Sequence, residues 1–398
     1  MTQVADRSTG ALDDGGKARH PRTRAVVRSA GSRRSILLVV IVAMLLTIGL
    51  GAMLSASSVV SIKANADQFE LFTKQMLWVA FGLGALVLTS FIPYHVWQRF
   101  ALPIYTVTVV GLVVTLIIGD ERGGATRWIV LGPITLQVAE FAKFATLSLL
   151  ATVLTKKDAL LTDLRHVIIP VGAILGTVSV LLLAQPDFGN ILLIVVPAFV
   201  MLAASSVPLG YVLSMAGLGA LVMTAAAMSA DYRKARLFGF TDPFANAKGS
   251  GLQAVQSMVA LGTGGMFGVG LGQSRARWLW LPNAHTDFIF AIIGEETGFA
   301  GALIVVVLFA LIAAVGVSIA YRAPDMYGRL LAIGIVAWIS VQALVNIGGV
   351  VAVLPITGVP LPFISSGGNA MVANLAAIGI LLNISRASDR SMTKQGRL

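Results

Sequence analysis

Long apolar runs alternate with short polar breaks along most of the chain. A membrane-spanning helix needs about 20 mostly apolar residues, and about ten runs come near that length. They lie at 36–58, 76–93, 101–119, 137–155, 166–184, 189–205, 208–229, 285–320, 329–351 and 368–385. The run at 285–320 is long for one crossing, which implies a bend or an extension beyond the bilayer. The pattern predicts an all-α polytopic membrane protein of about ten transmembrane helices. A long loop, 230–284, separates the seventh span from the eighth.

Composition sharpens this reading. Of 398 residues, 57% are hydrophobic and only 12% are charged, with a mean hydropathy of +0.86. A soluble domain carries about a quarter charged residues. Cysteine is absent, which excludes a disulfide framework and a thiolate metal site. His20, His95, His166 and His285 are scattered and make no metal-ligand spacing. The net charge of +11 fits topology and anionic headgroups. No basic patch interleaved with aromatics points to nucleic acid.

Lys and Arg set the orientation. Residues 1–35 are polar and basic, from Arg7 to Arg33 and Arg34, and read as a disordered cytoplasmic tail. The apolar run that follows is too long for a signal peptide and has no small-residue cleavage site. An even number of spans returns the C-terminal tail, 387–398, to the same side. The short segments on that side hold most of the Lys and Arg, so both termini are expected to be cytoplasmic. Segments 119–136, 185–188, 230–287 and 352–367 then face outward. The cytoplasmic loops are too short for a nucleotide-binding domain, and no GxxxxGK[ST] occurs.

The outward segments hold the unusual polar residues. In "RGGATRWIVLGPITLQVAEFAK", Gly123-Gly124 marks a turn and Arg127 is placed to reach a phosphate or headgroup. Glu140 and Lys143 are three apart and share a helix face, so they can pair. The pair either locks helices together or places a lysine in a cavity that meets an anion. In "AQPDFGN", Pro186 and Gly189 make a turn and Asp187 suits the cap of the next helix. The long loop is rich in Gly, Arg/Lys and aromatics, with Arg233, Lys234 and Arg236 clustered and Arg275 and Arg277 before Trp278 and Trp280. Part of it anchors in headgroups. Its segment "GLQAVQSMVALG" suits a short amphipathic helix.

Asp287 opens the eighth span, and Glu295 and Glu296 lie within it. On one continuous helix Asp287 and Glu295 share a face and Glu296 points away. Asp287 is either an N-cap or a general base at the membrane edge. The Pro/Gly-broken stretch "LPITGVPLPFISSGGNA" adds Ser365, Ser366 and Asn369. Irregular backbone at membrane depth is tolerated only where protein or a water cavity satisfies it.

These segments, in this order, resemble the SEDS family of cell-wall proteins. The stretches that carry the resemblance are "GGATRWIVLGPITLQVAEFAK", "QPDFGN", "DPFANAKGSGLQAVQSMVALGTGGMFGVGLGQS", "LPNAHTDFIFAIIGEETG" and "VNIGGVVAVLPITGVPLPFISSGGNAMV". The resemblance covers residues 36–386 and is nearer the division branch than the elongation branch. Two stretches depart from the family's usual pattern. Gln137-Val138-Ala139-Glu140 stands for Gln-Pro-Ser-Glu, and Ser365-Ser366-Gly367-Gly368-Asn369-Ala370 stands for Ser-Tyr-Gly-Gly-Ser-Ser.

The resemblance implies a peptidoglycan glycosyltransferase that polymerises lipid II outside the cytoplasmic membrane of a bacterium and releases undecaprenyl diphosphate, at the division septum. It makes Asp287 the general base, with Lys143 meeting the diphosphate and Glu140 holding that lysine. Arg127, Arg233, Arg236, His285, Gln256, Ser365 and Ser366 are the candidate substrate contacts. No dedicated metal or cofactor site is expected; a divalent cation, Mg or Mn, would arrive with the diphosphate. The implied partners are a class B penicillin-binding protein transpeptidase and other division proteins. The competing functions are a lipid II flippase and a non-catalytic division scaffold. The clustering of Asp287, Arg127 and the long loop at one face favours the polymerase.

Overall fold

The structure is a computed structural model that describes residues 21–63, 69–122, 125–132, 134–228, 242–245, 247, 251–275 and 286–395. The apolar runs become helices. In chain order they are α1 (Pro21–Lys63), α2 (Glu70–Phe91), the short α3 (Tyr94–Arg99), α4 (Ala101–Ile118), α5 (Val138–Lys156), α6 (Leu164–Ala184), α7 (Phe188–Ala203) and α8 (Leu209–Met228). They continue with α9 (Leu252–Gly264), α10 (Ile289–Ala320), α11 (Met326–Val350) and α12 (Gly368–Gln395). Among the described residues, eight helices are long and apolar enough to cross a membrane, and α7 and α8 are shorter apolar helices. Helix α1 begins within the stretch expected to be a tail, and α12 runs on into the expected C-terminal tail.

How the helices are buried follows from their side chains. The apolar windows of α5, α11 and α12 are 72–78% buried, whereas those of α2 and α4 are 17% and 28% buried. The first group forms the centre and the second faces outward. Helix α5 carries Ala139, Ala142, Ala145, Ser148, Ala151 and Thr152 at buried positions, small enough to let neighbouring backbones approach. Helix α12 packs along α2 through Gly379, where a Cβ would stand 2.3 Å from the Leu86 carbonyl. Aspartates cap several helices: Asp163 accepts from Arg165 N, Asp187 from Asn190 N and Asp325 from Gly328 N.

One feature departs from the all-helix expectation, and a second is the bend expected of the eighth run. A three-stranded antiparallel sheet fills the segment between α4 and α5, formed by β1 (Asp120–Arg122), β2 (Ala125–Leu131) and β3 (Ile134–Leu136). Its strands are too short to stand out beside the apolar helices that flank them. The long eighth run is also broken. Gly298 has φ 70° and ψ −169°, which divides α10 into two helical pieces. Residues 265–270 pack into the break: Val269 N donates to Glu295 O at 3.0 Å, and Phe299 N donates to Gly265 O at 2.8 Å. The groups freed by the break are thereby bonded to protein, as membrane depth requires.

Candidate functional site

A cavity of about 370 Å³ opens where the β-sheet, the α6–α7 turn, the start of α10 and the broken segment before α12 meet. Its lining includes Arg127, Glu140, Asp187, Asp287, Ser366 and Asn369. Strand β2 aims Arg127 inward. Side chains alternate along a strand, and Arg127 shares its face with the buried Ala125 and Ile129. The guanidinium is 27% exposed, donates to the Pro186 carbonyl, and has its Nε 4.0 Å from Asp187 Oδ1. Asp187 in turn accepts from Asn190 Nδ2 at 2.8 Å. The aspartate therefore caps α7 and forms part of the cavity wall.

Glu140 and Lys143 lie one helical turn apart on α5, and Lys143 Nζ donates to Glu140 Oε2 at 2.7 Å. Glu140 reaches the cavity lining, while Lys143 is buried behind it with its ammonium 5.2 Å from the centre of the Trp338 ring. A charge pair and a cation–π contact together make such burial tolerable. In this geometry the ammonium neutralises the carboxylate rather than facing the cavity.

Asp287 belongs to the turn before α10, because the helix begins only at Ile289. That turn takes it out of helical phase with Glu295. Glu295 instead accepts from Ser274 Oγ and, at 3.0 Å, from Arg275 N, so it braces the loop that threads the break. Glu296 accepts from Ser55 Oγ of α1 and so braces a neighbouring helix. The expectation that Glu295 supports the face of Asp287 is corrected accordingly. Across from Asp287 stands the broken segment, where a Cβ on Gly358 would lie 3.6 Å from Asp287 Oδ2.

The remaining candidates divide. Ser366 lines the cavity, whereas Ser365 is buried and its Oγ accepts from Leu361 N at 2.8 Å, closing the turn of the broken segment. Gln256 sits half-buried on α9 and is not part of the cavity lining. Arg233, Arg236 and His285 lie outside the described residues. Asp187, Asn190 and Asn369 were missed as lining residues. Asp187 was legible only as a cap, and Asn369, whose Nδ2 donates to the Thr135 carbonyl at 2.8 Å, reaches the sheet only in three dimensions.

Among the described residues, the cavity lining holds one guanidinium and three carboxylates, of which Glu140 is paired with Lys143 and Asp187 lies beside Arg127. Such a wall can hold an anionic group at Arg127 and accept a proton at a carboxylate elsewhere on its rim. Among the described residues, no group of three His, Cys, Asp or Glu side chains is arranged to hold a metal ion.

Known proteins match this chain over most of its length. Stage V sporulation protein E of Bacillus subtilis (strain 168) is 36% identical over 355 residues, which is 89% of this chain and 97% of that protein. A "Probable peptidoglycan glycosyltransferase FtsW" of Coxiella burnetii (strain RSA 493 / Nine Mile phase I) is 37% identical over 348 residues, 85% of this chain and 93% of that protein. Among solved structures, a chain of a peptidoglycan synthase complex described as coordinating polymerization and crosslinking superposes with a TM-score of 0.73 at 27% identity, covering 88% of this chain and 97% of that one. The rod shape determining protein RodA of Thermus thermophilus superposes with a TM-score of 0.65 at 28% identity, covering 88% and 95%. The sequence model of the cell cycle protein family FtsW/RodA/SpoVE matches residues 36–390. With that match and these relatives, the chain belongs to the FtsW/RodA/SpoVE family of multi-pass membrane proteins.

Proposed function

We propose that this protein is a peptidoglycan glycosyltransferase that polymerises lipid II into glycan strands. The observation that carries the reading is the single cavity lined by both Arg127 and Asp287, groups suited to the two charge changes of the reaction. In this reading the acceptor's sugar hydroxyl gives its proton to Asp287. Its oxygen bonds to the donor's anomeric carbon as the bond from that carbon to the diphosphate breaks. Undecaprenyl diphosphate departs with its charge met by Arg127. A positioned general base is worth about 10²–10⁴-fold in rate. The Glu140–Lys143 pair holds the α5 wall in shape. A divalent cation would bind with the diphosphate, because the described carboxylates form no cage for it.

The Lys/Arg distribution supports an orientation in which both termini are cytoplasmic and the cavity faces outward. The relatives named FtsW support a role at the division septum. The likeness to a synthase complex that joins polymerization to crosslinking supports a transpeptidase partner, a class B penicillin-binding protein, among the division proteins.

The test is glycan polymerisation from purified lipid II, with the transpeptidase bound and its serine inactivated. Wild type and Asp287→Asn run side by side, with lipid II scrambling measured on the same liposomes. Polymer from wild type alone is expected. Polymer from Asp287→Asn at the wild-type rate removes the base assignment. Scrambling without polymer from the wild type makes the protein a flippase.

A further inference from the structure

Helix α11 carries Trp338, Gln342 and Asn346 at successive four-residue steps, which places them in one stripe along the helix. All three are buried. Trp338 Nε1 donates to Gln342 Oε1 at 3.0 Å, and Gln342 Nε2 donates to the Pro360 carbonyl at 2.8 Å. One turn further on, Asn346 Nδ2 donates to the Asp287 carbonyl and to the Val359 carbonyl, each at 2.8 Å. Both acceptors are carbonyl oxygens, so only the amide's NH₂ can face them, and its orientation is settled. Among the described residues, the buried Oδ1 of Asn346 has no hydrogen-bond partner. A leftover buried acceptor is a cost that an aliphatic side chain would avoid. What an aliphatic side chain lacks is the donor pair that ties these two carbonyls together.

We infer that Asn346 is the positioning residue for the Asp287 carboxylate, an inference that rests on the reading of Asp287 as the base. Asn346 does not line the cavity and acts through the Asp287 backbone. It clamps that peptide to Val359, whose neighbour Gly358 faces the carboxylate: a Cβ there would lie 3.6 Å from Asp287 Oδ2. One amide therefore sets the separation between the base and the broken segment. Gln342 pins the same wall one residue later, at Pro360. The Trp338 ring beneath it receives the Lys143 ammonium, so a single face of α11 backs both sides of the site.

The test measures kcat and KM for polymerisation in wild type, Asp287→Asn and Asn346→Ala, each with the transpeptidase partner bound, together with melting temperatures. A misplacement of about 1 Å can cost about 100-fold in rate. Asn346→Ala is therefore expected to lose about 10- to 100-fold in kcat while KM stays within about threefold, because the diphosphate contacts are untouched. A lowered melting temperature with kcat per folded molecule unchanged makes Asn346 purely structural and overturns the inference. Wild-type turnover by Asn346→Ala beside an inactive Asp287→Asn overturns it alone and leaves the base assignment standing. Wild-type turnover by Asp287→Asn removes the base assignment and the inference with it. If Asn346→Ala is not recovered folded, Asn346→Leu carries the same test, since it keeps nearly the same volume and makes neither of the two donated bonds.

Discussion

Lys143 Nζ lies 2.7 Å from the Glu140 carboxylate, and both side chains are sealed from solvent. A buried pair of this kind is stable as a pair and costly as a half. Removing one partner leaves a buried charge uncompensated, which costs about 3–5 kcal/mol. Lys143→Ala and Glu140→Ala should therefore each lower the melting temperature sharply in detergent. The double replacement Glu140→Leu/Lys143→Met should recover much of the loss, because well-packed apolar substitutes for a buried pair are often neutral. A double variant as unstable as the sum of the singles would show that the pair is not the unit of stability.

Among the described residues, Arg127 is the cation in the cavity lining, held by the Pro186 carbonyl and beside Asp187. A planar guanidinium can hold a diphosphate through two parallel bonds, which an ammonium cannot. Charge-assisted hydrogen bonds contribute about 1.5–3 kcal/mol each. Arg127→Lys is expected to lower kcat/KM for lipid II by about 10- to 100-fold with the melting temperature nearly unchanged. Kinetics equal to wild type would move the diphosphate to other cations.

The break in α10 depends on glycine. At φ 70° and ψ −169°, Gly298 adopts a conformation essentially closed to other residues, and a Cβ there would meet Gly268 N at 2.4 Å. Gly298→Ala should destabilise by at least about 1–3 kcal/mol from backbone strain alone, with the contact adding to it. Gly172 provides the control: it lies in α6, and a Cβ there meets nothing within 4 Å. Gly172→Ala should be neutral or stabilise by up to about 1 kcal/mol. Thermal unfolding of the two variants separates them, and equal melting temperatures would refute the strain argument.

Asp187 tests whether a helix cap also serves the site. Its carboxylate accepts from Asn190 Nδ2 and stands by Arg127, so Asp187→Asn keeps the shape but weakens the hold on the guanidinium. The expected result is a fall in kcat/KM with stability nearly unchanged, because asparagine caps a helix about as well as aspartate. A stability loss with unchanged kinetics would confine Asp187 to capping.

The site was partly legible before folding. That Glu140 and Lys143 can pair was legible, because positions three apart share a helix face. Asp287 stood out as a carboxylate at the mouth of an apolar run. Its relation to Glu295 was misread, because the spacing argument assumes one uninterrupted helix. The turn at 286–288 violates that assumption, because the helix begins only at Ile289. The role of Asn346 was invisible in the chain: an amide within an apolar helix carries no local sign of the carbonyls it will meet.

The sequence by itself determined the helices and their membrane character. Within a bilayer each helix satisfies its own backbone, so the apolar content of about 20 consecutive residues suffices to define it. Helices α4, α5, α6 and α7 accordingly begin and end close to the limits of their apolar runs. Tertiary structure alone decided which polar residues share a cavity. Arg127 comes from a strand, Glu140 from α5, Asp187 from a cap, Asp287 from a turn and Ser366 from an irregular segment. Their meeting depends on how the helices pack across the bundle, and contacts between residues so far apart in the chain leave no periodicity along it.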